Sequence, residues 1–144
     1  MKKLFVVFAV MFSVAIAHAD EDLRTVIGAV YSSHLQGMKD KNFRTAINAL
    51  HPESPAYEQA KASIAQTMAS FDLDYKIVSF SALGTSGDFA VVRVVLQTKK
   101  VAGKPKFEDN ELDSFQIFRK TSEGQWRIWS SCVLSVKPLN QPAN

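Results

Sequence analysis

The sequence predicts an α+β fold: three N-terminal helices packed on a strongly curved, cone-shaped, four-stranded antiparallel meander sheet. Three observations predict it. An apolar stripe of period 3.6 recurs through three segments between Asp22 and Phe71. At Leu73 the period changes to 2 and stays there. Turn-forming clusters then divide the second half into four strands, long enough that they must twist and coil, and helices followed by long antiparallel strands make an α+β layer pair.

The first 19 residues stand apart from that domain. Lys2 and Lys3 precede an apolar run from Leu4 to Ala17 broken only by Ser13, and Ala17-His18-Ala19 has the small-residue pattern of a cleavage site. The run is too short to span a bilayer comfortably, so residues 1–19 read as a secretory signal and the product as periplasmic or secreted, with no membrane anchor after cleavage. The 47% apolar content and net charge of +3 both lean on this segment. Without Lys2 and Lys3 the charge is 15 − 14 = +1. A polybasic nucleic-acid or lipid-surface binder and a second domain are thereby excluded. The expected organisation is signal 1–19, one domain over 20–137 and a flexible tail over 138–144, marked by Pro138 and Pro142. Cys132 has no second cysteine to pair with and Asp20, not cysteine, follows the cleavage point, so neither an intrachain disulfide nor a lipid anchor is expected. In a strand, Cys132 reads as a small buried residue.

The first helix carries Leu23, Val26, Ile27, Val30, Tyr31, Leu35 and Met38, and Gly37 with Lys39-Asp40 ends it. Asp40 is placed to cap a short second helix with Phe43, Ala46, Ile47 and Leu50 on one side, stopped by His51-Pro52. Ser54-Pro55 supplies an N-cap and a first-turn proline for the third, whose stripe is Tyr57, Ala60, Ile64, Met68 and Phe71. The strands follow at about 75–83, 89–101, 107–120 and 125–136, turning at Gly84–Gly87, Ala102–Pro105 and Thr121–Gly124. A half-cone of this kind, closed only partly by its helices, leaves a pocket at its open end.

Val30-Tyr31 in the opening helix, the connector Leu50-His51-Pro52-Glu53-Ser54-Pro55, the strand Ala90 to Thr98, and the ending Phe118-Arg119-Lys120 through Gly124-Gln125-Trp126-Arg127-Ile128 resemble the nuclear transport factor 2-like superfamily. That is the cone fold of ketosteroid isomerase-like and SnoaL-like proteins. The resemblance covers nearly the whole mature chain and implies the fold. Its enzymes place an aspartate or histidine base inside the cone, but no family motif for those residues is matched, and the superfamily also holds binding modules and assembly domains.

Candidate site residues therefore rest on strand facing. In the second strand Ala90, Val92, Val94, Leu96 and Thr98 form the more apolar set and are assigned to the core. Pairing odd with odd across the next hairpin puts Arg93 beside Asp113 on the outer face and turns Ser114 and Gln116 inward. A one-residue slip would aim Asp113 into the pocket instead. His34 sits at the inner edge of the first helix, where an imidazole can act as a general base. His34 and Asp113 are thus the catalytic candidates, and Tyr31, His34, Ser114, Gln116, Trp126 and Ser130 the expected pocket lining. His51 reads as structural, a cation completing a helix end. His34 and His51, with no carboxylate at a ligand-like spacing, make no metal site, and no cofactor is expected.

In the last strand Trp126, Ile128, Ser130, Cys132 and Leu134 alternate with Arg127, Trp129, Ser131 and Val133, so each face carries a tryptophan. With Phe89, Val91, Val95, Phe115 and Ile117, Trp129 makes an outer face more apolar than a soluble monomer exposes, which predicts a homodimer through that face. Lysines 99, 100, 104 and 106 beside Glu108, Asp109 and Glu111 read as cross-strand pairs solubilising the second hairpin. The partners expected are a small apolar ligand and a second copy. Three functions stay open: a binding or interaction module, a cofactor-free isomerase, cyclase or hydratase, and a structural dimeric assembly protein whose cone is filled.

Overall fold

The computed structural model of the 144-residue chain describes residues 22–140. The expected signal and the end of the expected tail lie outside the described residues. The order is α1 (22–39), α2 (Phe43–Asn48), α3 (Tyr57–Ser70), β1 (Asp72–Ser86), β2 (Phe89–Ala102), β3 (Asn110–Lys120) and β4 (Trp126–Pro138). The strands form an antiparallel sheet in the order β1-β2-β3-β4. Three helices followed by a curved meander is the predicted class.

Ile27, Tyr31 and Leu35 recur every four residues and are the buried stripe of α1. The helix does not end at Gly37. A Cβ there would lie 2.5 Å from Ala46 N, so the glycine lets α2 close onto α1 rather than stopping α1. The cap of α2 is Asn42, whose side-chain oxygen accepts the Thr45 N–H at 3.1 Å; Asp40 instead accepts from Gln36 at 2.8 Å. Nor does Ser54-Pro55 begin α3, which starts at Tyr57 without a side-chain cap. Ser54 Oγ accepts the Ala56 N–H at 3.1 Å and donates to Trp129 O at 2.6 Å, tying the connector to β4. Below it Ile64 and Met68 bury the apolar side of α3.

On β2 the predicted inner set, Ala90 to Thr98 in steps of two, is buried. Pairing of β2 with β3 joins odd to odd and even to even, Val95 to Asp113 and Val94 to Ser114. Ser114, Gln116 and Phe118 consequently face the helices, and Arg93 holds Asp113 by a two-pronged ion pair at 2.9 and 2.6 Å on the outer face. β4 departs from the expected alternation. Register shifts in its pairing with β3 leave Trp129 and Leu134 as extra residues, and each such bulge reverses the facing of the strand residues beyond it. Ser131 and Val133 lie opposite the inward Gln116 and Ser114, while Ser130 and Cys132 lie opposite the outward Ile117 and Phe115. Cys132 is exposed, not buried. Ser130 and Cys132 therefore do not share the face of Trp126 and Ile128.

The connector covers the start of the β4 edge: His51 N–H donates to Ile128 O at 2.8 Å and Ile128 N–H to Ala49 O at 2.7 Å. His51 itself is buried. Its Nδ1 accepts the Glu53 N–H at 3.2 Å, which leaves Nε2–H to donate to Lys120 O at 3.3 Å. The ring is structural, as expected, but through a backbone network rather than by completing a helix end. β4 runs to Pro138, and Leu139 N–H donates to Asp109 O at 2.9 Å. At the second hairpin Asp109 caps the Lys100 N–H, and Lys100 Nζ donates to Gly103 O and Pro105 O, so backbone carbonyls take the place of the expected cross-strand ion pair.

Candidate functional site

A hollow of about 510 Å³ opens where α1, the connector and α3 face β3 and β4. Tyr31 and His34 come from α1, one turn apart; Tyr57, Gln59, Ser63 and Ile64 from α3; Gln116 from β3; and Ile128 through Ser131 from β4. Leu50, Ser54, Ala56 and Ala60 complete the lining, which contains no aspartate, glutamate, lysine or arginine. A volume of this size with an apolar wall and a few convergent polar groups is typical of small-molecule sites.

His34 Nδ1 lies 2.9 Å from Ala46 O. A carbonyl oxygen only accepts, so Nδ1 carries the proton and Nε2 is left as a bare acceptor. Burial pulls the His34 pKa below its ordinary 6.5, the bond to Ala46 offsetting this only in part. Burial also pushes the Tyr31 hydroxyl up to about 12, with a smaller contribution from Tyr75, so it stays a neutral donor. The two rings stand 6.3 Å apart. Gln116 donates through Nε2 to Ser114 Oγ at 3.0 Å, which commits Ser114 to the floor.

The structure thus brings Tyr31, His34, Gln116 and Ser130 around one hollow, Ser130 although it pairs opposite the outward Ile117. Ser114 is fully buried beneath Gln116, and Trp126 packs at the core margin under Lys120 Nζ, so neither lines it. Asp113 is across the sheet with Arg93, whose guanidinium holds its carboxyl below the usual range, and it cannot serve as a base in the hollow. Sequence reasoning missed Gln59 and Ser63, spaced four apart and one position before the stripe residues Ala60 and Ile64, a spacing that puts them on the rim beside the stripe. It also missed Trp129 and Ser131, whose facing depends on a bulge without a glycine signal.

Since folded His34 binds its proton less firmly than the unfolded chain does, the unfolded state gains the proton first as pH falls through 6.5. The associated stability is present above that pH and lost below it. Melting followed by circular dichroism should therefore show a decline between about pH 7.5 and 5.5 that is flatter in His34→Gln. The depressed pKa values of Asp74 and Asp113 act only below their ordinary 3.8, outside that window.

A second hollow, about 350 Å³, lies between α2 and the β3–β4 turn and is rimmed by Arg44, Glu123 and Arg127. Arg127 is already bound to Asn48 O and Gln125 there.

Comparison with known proteins matches residues 29–139 to the family described as the anti-sigma-I factor RsgI9, C-terminal domain. No curated protein matches. Among solved structures, a candidate dehydratase of the NTF2-like family from Streptomyces avermitilis is similar at 17% identity and a TM-score of 0.64, over 84% of this chain and 99% of its own. A ketosteroid isomerase-like protein from Erwinia carotovora atroseptica gives 19% and 0.56 over 78% and 96%. An NTF2-like protein of unknown function from Pseudomonas putida gives 12% and 0.62 over 88% and 98%. These likenesses establish the NTF2-like fold, and no activity.

Proposed function

This chain belongs to the family of the anti-sigma-I factor RsgI9 C-terminal domain, and on that premise we propose that it is an exported module that binds a small neutral ligand and works as a recognition domain rather than an enzyme. The observation that carries this is the uncharged lining of the 510 Å³ hollow. A charged ligand entering it would be stripped of water without a counter-charge, whereas a neutral one meets aromatic surface and hydrogen-bonding side chains. The family takes its name from an anti-sigma-I factor, which agrees with recognition. Export rests on the signal-like segment 1–19 and places the module in the periplasm or outside the cell. Thermal shift against a panel of neutral ring compounds tests the reading. A binder at 100 times its Kd should stabilise the mature protein by about 2.7 kcal/mol, and matched carboxylates should give no shift. A panel in which only anions raise the melting temperature would overturn it.

A second reading, a cofactor-free proton-transfer enzyme, is supported by Tyr31 and His34, a neutral hydroxyl donor and a neutral imidazole acceptor on one wall. The two readings separate on His34→Ala, which abolishes turnover in an enzyme and leaves much of the affinity in a binding module.

The module is further proposed to pair with a second copy through its outer sheet face, where Phe89, Val91, Val95, Phe115 and Ile117 are half-buried or exposed around the Arg93–Asp113 pair. Turned about a twofold axis, such a pair meets its own reverse. Sedimentation velocity at micromolar concentration should give a dimer that Ile117→Lys converts to monomer. A wild-type monomer throughout would overturn it.

A further inference from the structure

Resting on the reading of the hollow as a neutral-ligand site, we propose that the ligand class is narrower: a neutral ring compound bearing a hydroxyl or N–H group, whose proton is received by His34 Nε2. The proposal stands on hydrogen-bond arithmetic. The Ala46 carbonyl takes the only proton of a neutral imidazole at Nδ1, so the nitrogen remaining to a ligand has a lone pair and no hydrogen. Gln116 adds a second acceptor: one N–H of its amide donates to Ser114, and its carboxamide oxygen has no partner among the described residues. Tyr31 stands one turn before His34 with no hydrogen-bond partner among the described residues and provides the complementary donor. A purely apolar ligand would bury both acceptors unpaired, the costly half of the hydrogen-bond asymmetry. An anionic ligand would meet the same lone pairs with repulsion. An alcohol, a phenol or an amide N–H satisfies them.

The test uses three matched probes on the mature protein: 2-naphthol, 2-methoxynaphthalene and 2-naphthoate. Ligand-observed NMR should rank 2-naphthol at least about tenfold tighter than its methyl ether, with 2-naphthoate weakest. Histidine labelled with nitrogen-15 should show His34 protonated at Nδ1, with the Nε2 resonance moving on addition of 2-naphthol and staying still with the ether. His34→Phe should erase the tenfold preference for 2-naphthol over its methyl ether. Should that variant fail to fold, the wild-type ranking and the Nε2 signal decide alone. Equal affinity for naphthol and ether, or an immobile Nε2 signal, overturns the donor assignment and leaves the neutral-ligand reading standing. Absence of binding by both neutral probes, or a preference for the naphthoate, overturns both.

Discussion

Replacing Gly37 by alanine should destabilise the domain by about 2–3 kcal/mol, a large effect for one methyl group on a helix. The added carbon would sit 2.5 Å from Ala46 N and 3.0 Å from Ala46 Cα, both backbone, so no side chain can rotate away and α1 and α2 must separate. That separation also pulls Ala46 O from His34, 2.9 Å away, and frees the ring whose orientation the hollow depends on. Gly37→Ala is accordingly expected to lose ligand affinity in excess of its loss of stability. Urea unfolding together with titration of a bound probe measures both, and unchanged affinity in a destabilised variant would uncouple the helix contact from the site.

His51→Ala should cost about 3 kcal/mol or more, because it removes a buried ring and strips two backbone groups of their partners at once. Glu53 N–H and Lys120 O lose bonds of 3.2 and 3.3 Å, and the Trp129 ring loses an edge-on neighbour at 5.0 Å. His51→Gln, which keeps a donor and an acceptor on a longer arm, should recover part of the loss. Chemical denaturation that finds both variants within about 0.5 kcal/mol of wild type would show the network to be dispensable.

How much was legible depends on where the period of the sequence survives folding. β2 is apolar on every second residue from Ala90 to Leu96, and its facing and odd-to-odd pairing with β3 were readable, Arg93 and Asp113 included. β4 has the same alternation on paper, but the extra residues Trp129 and Leu134 reverse it twice, and nothing in their chemistry marks a bulge. The burial expected for Cys132, which is exposed, and the omission of Ser131 both descend from that. The first helix ends at Lys39-Asp40 as read, but Gly37 is a contact and not a stop signal; Asn42 rather than Asp40 caps α2 through a local bond to Thr45 N–H, and Ser54 is held by a tertiary bond to Trp129 O that local pattern does not contain. The hollow itself was foreseeable from strand length, but its α3 wall was not, since a polar residue beside an apolar stripe normally faces only water.

The lashing of the connector to β4 also fixes the order in which the molecule can be completed. Ser54 and Trp129 are bonded across 75 residues of chain, whereas the three hairpins of the meander close locally. A polypeptide threading N-terminus first delivers α1 and α2 long before Ile128 and Trp129 exist to receive them. The hollow is therefore the last part to mature, and a chain truncated before β4 would lack the strand that receives the connector.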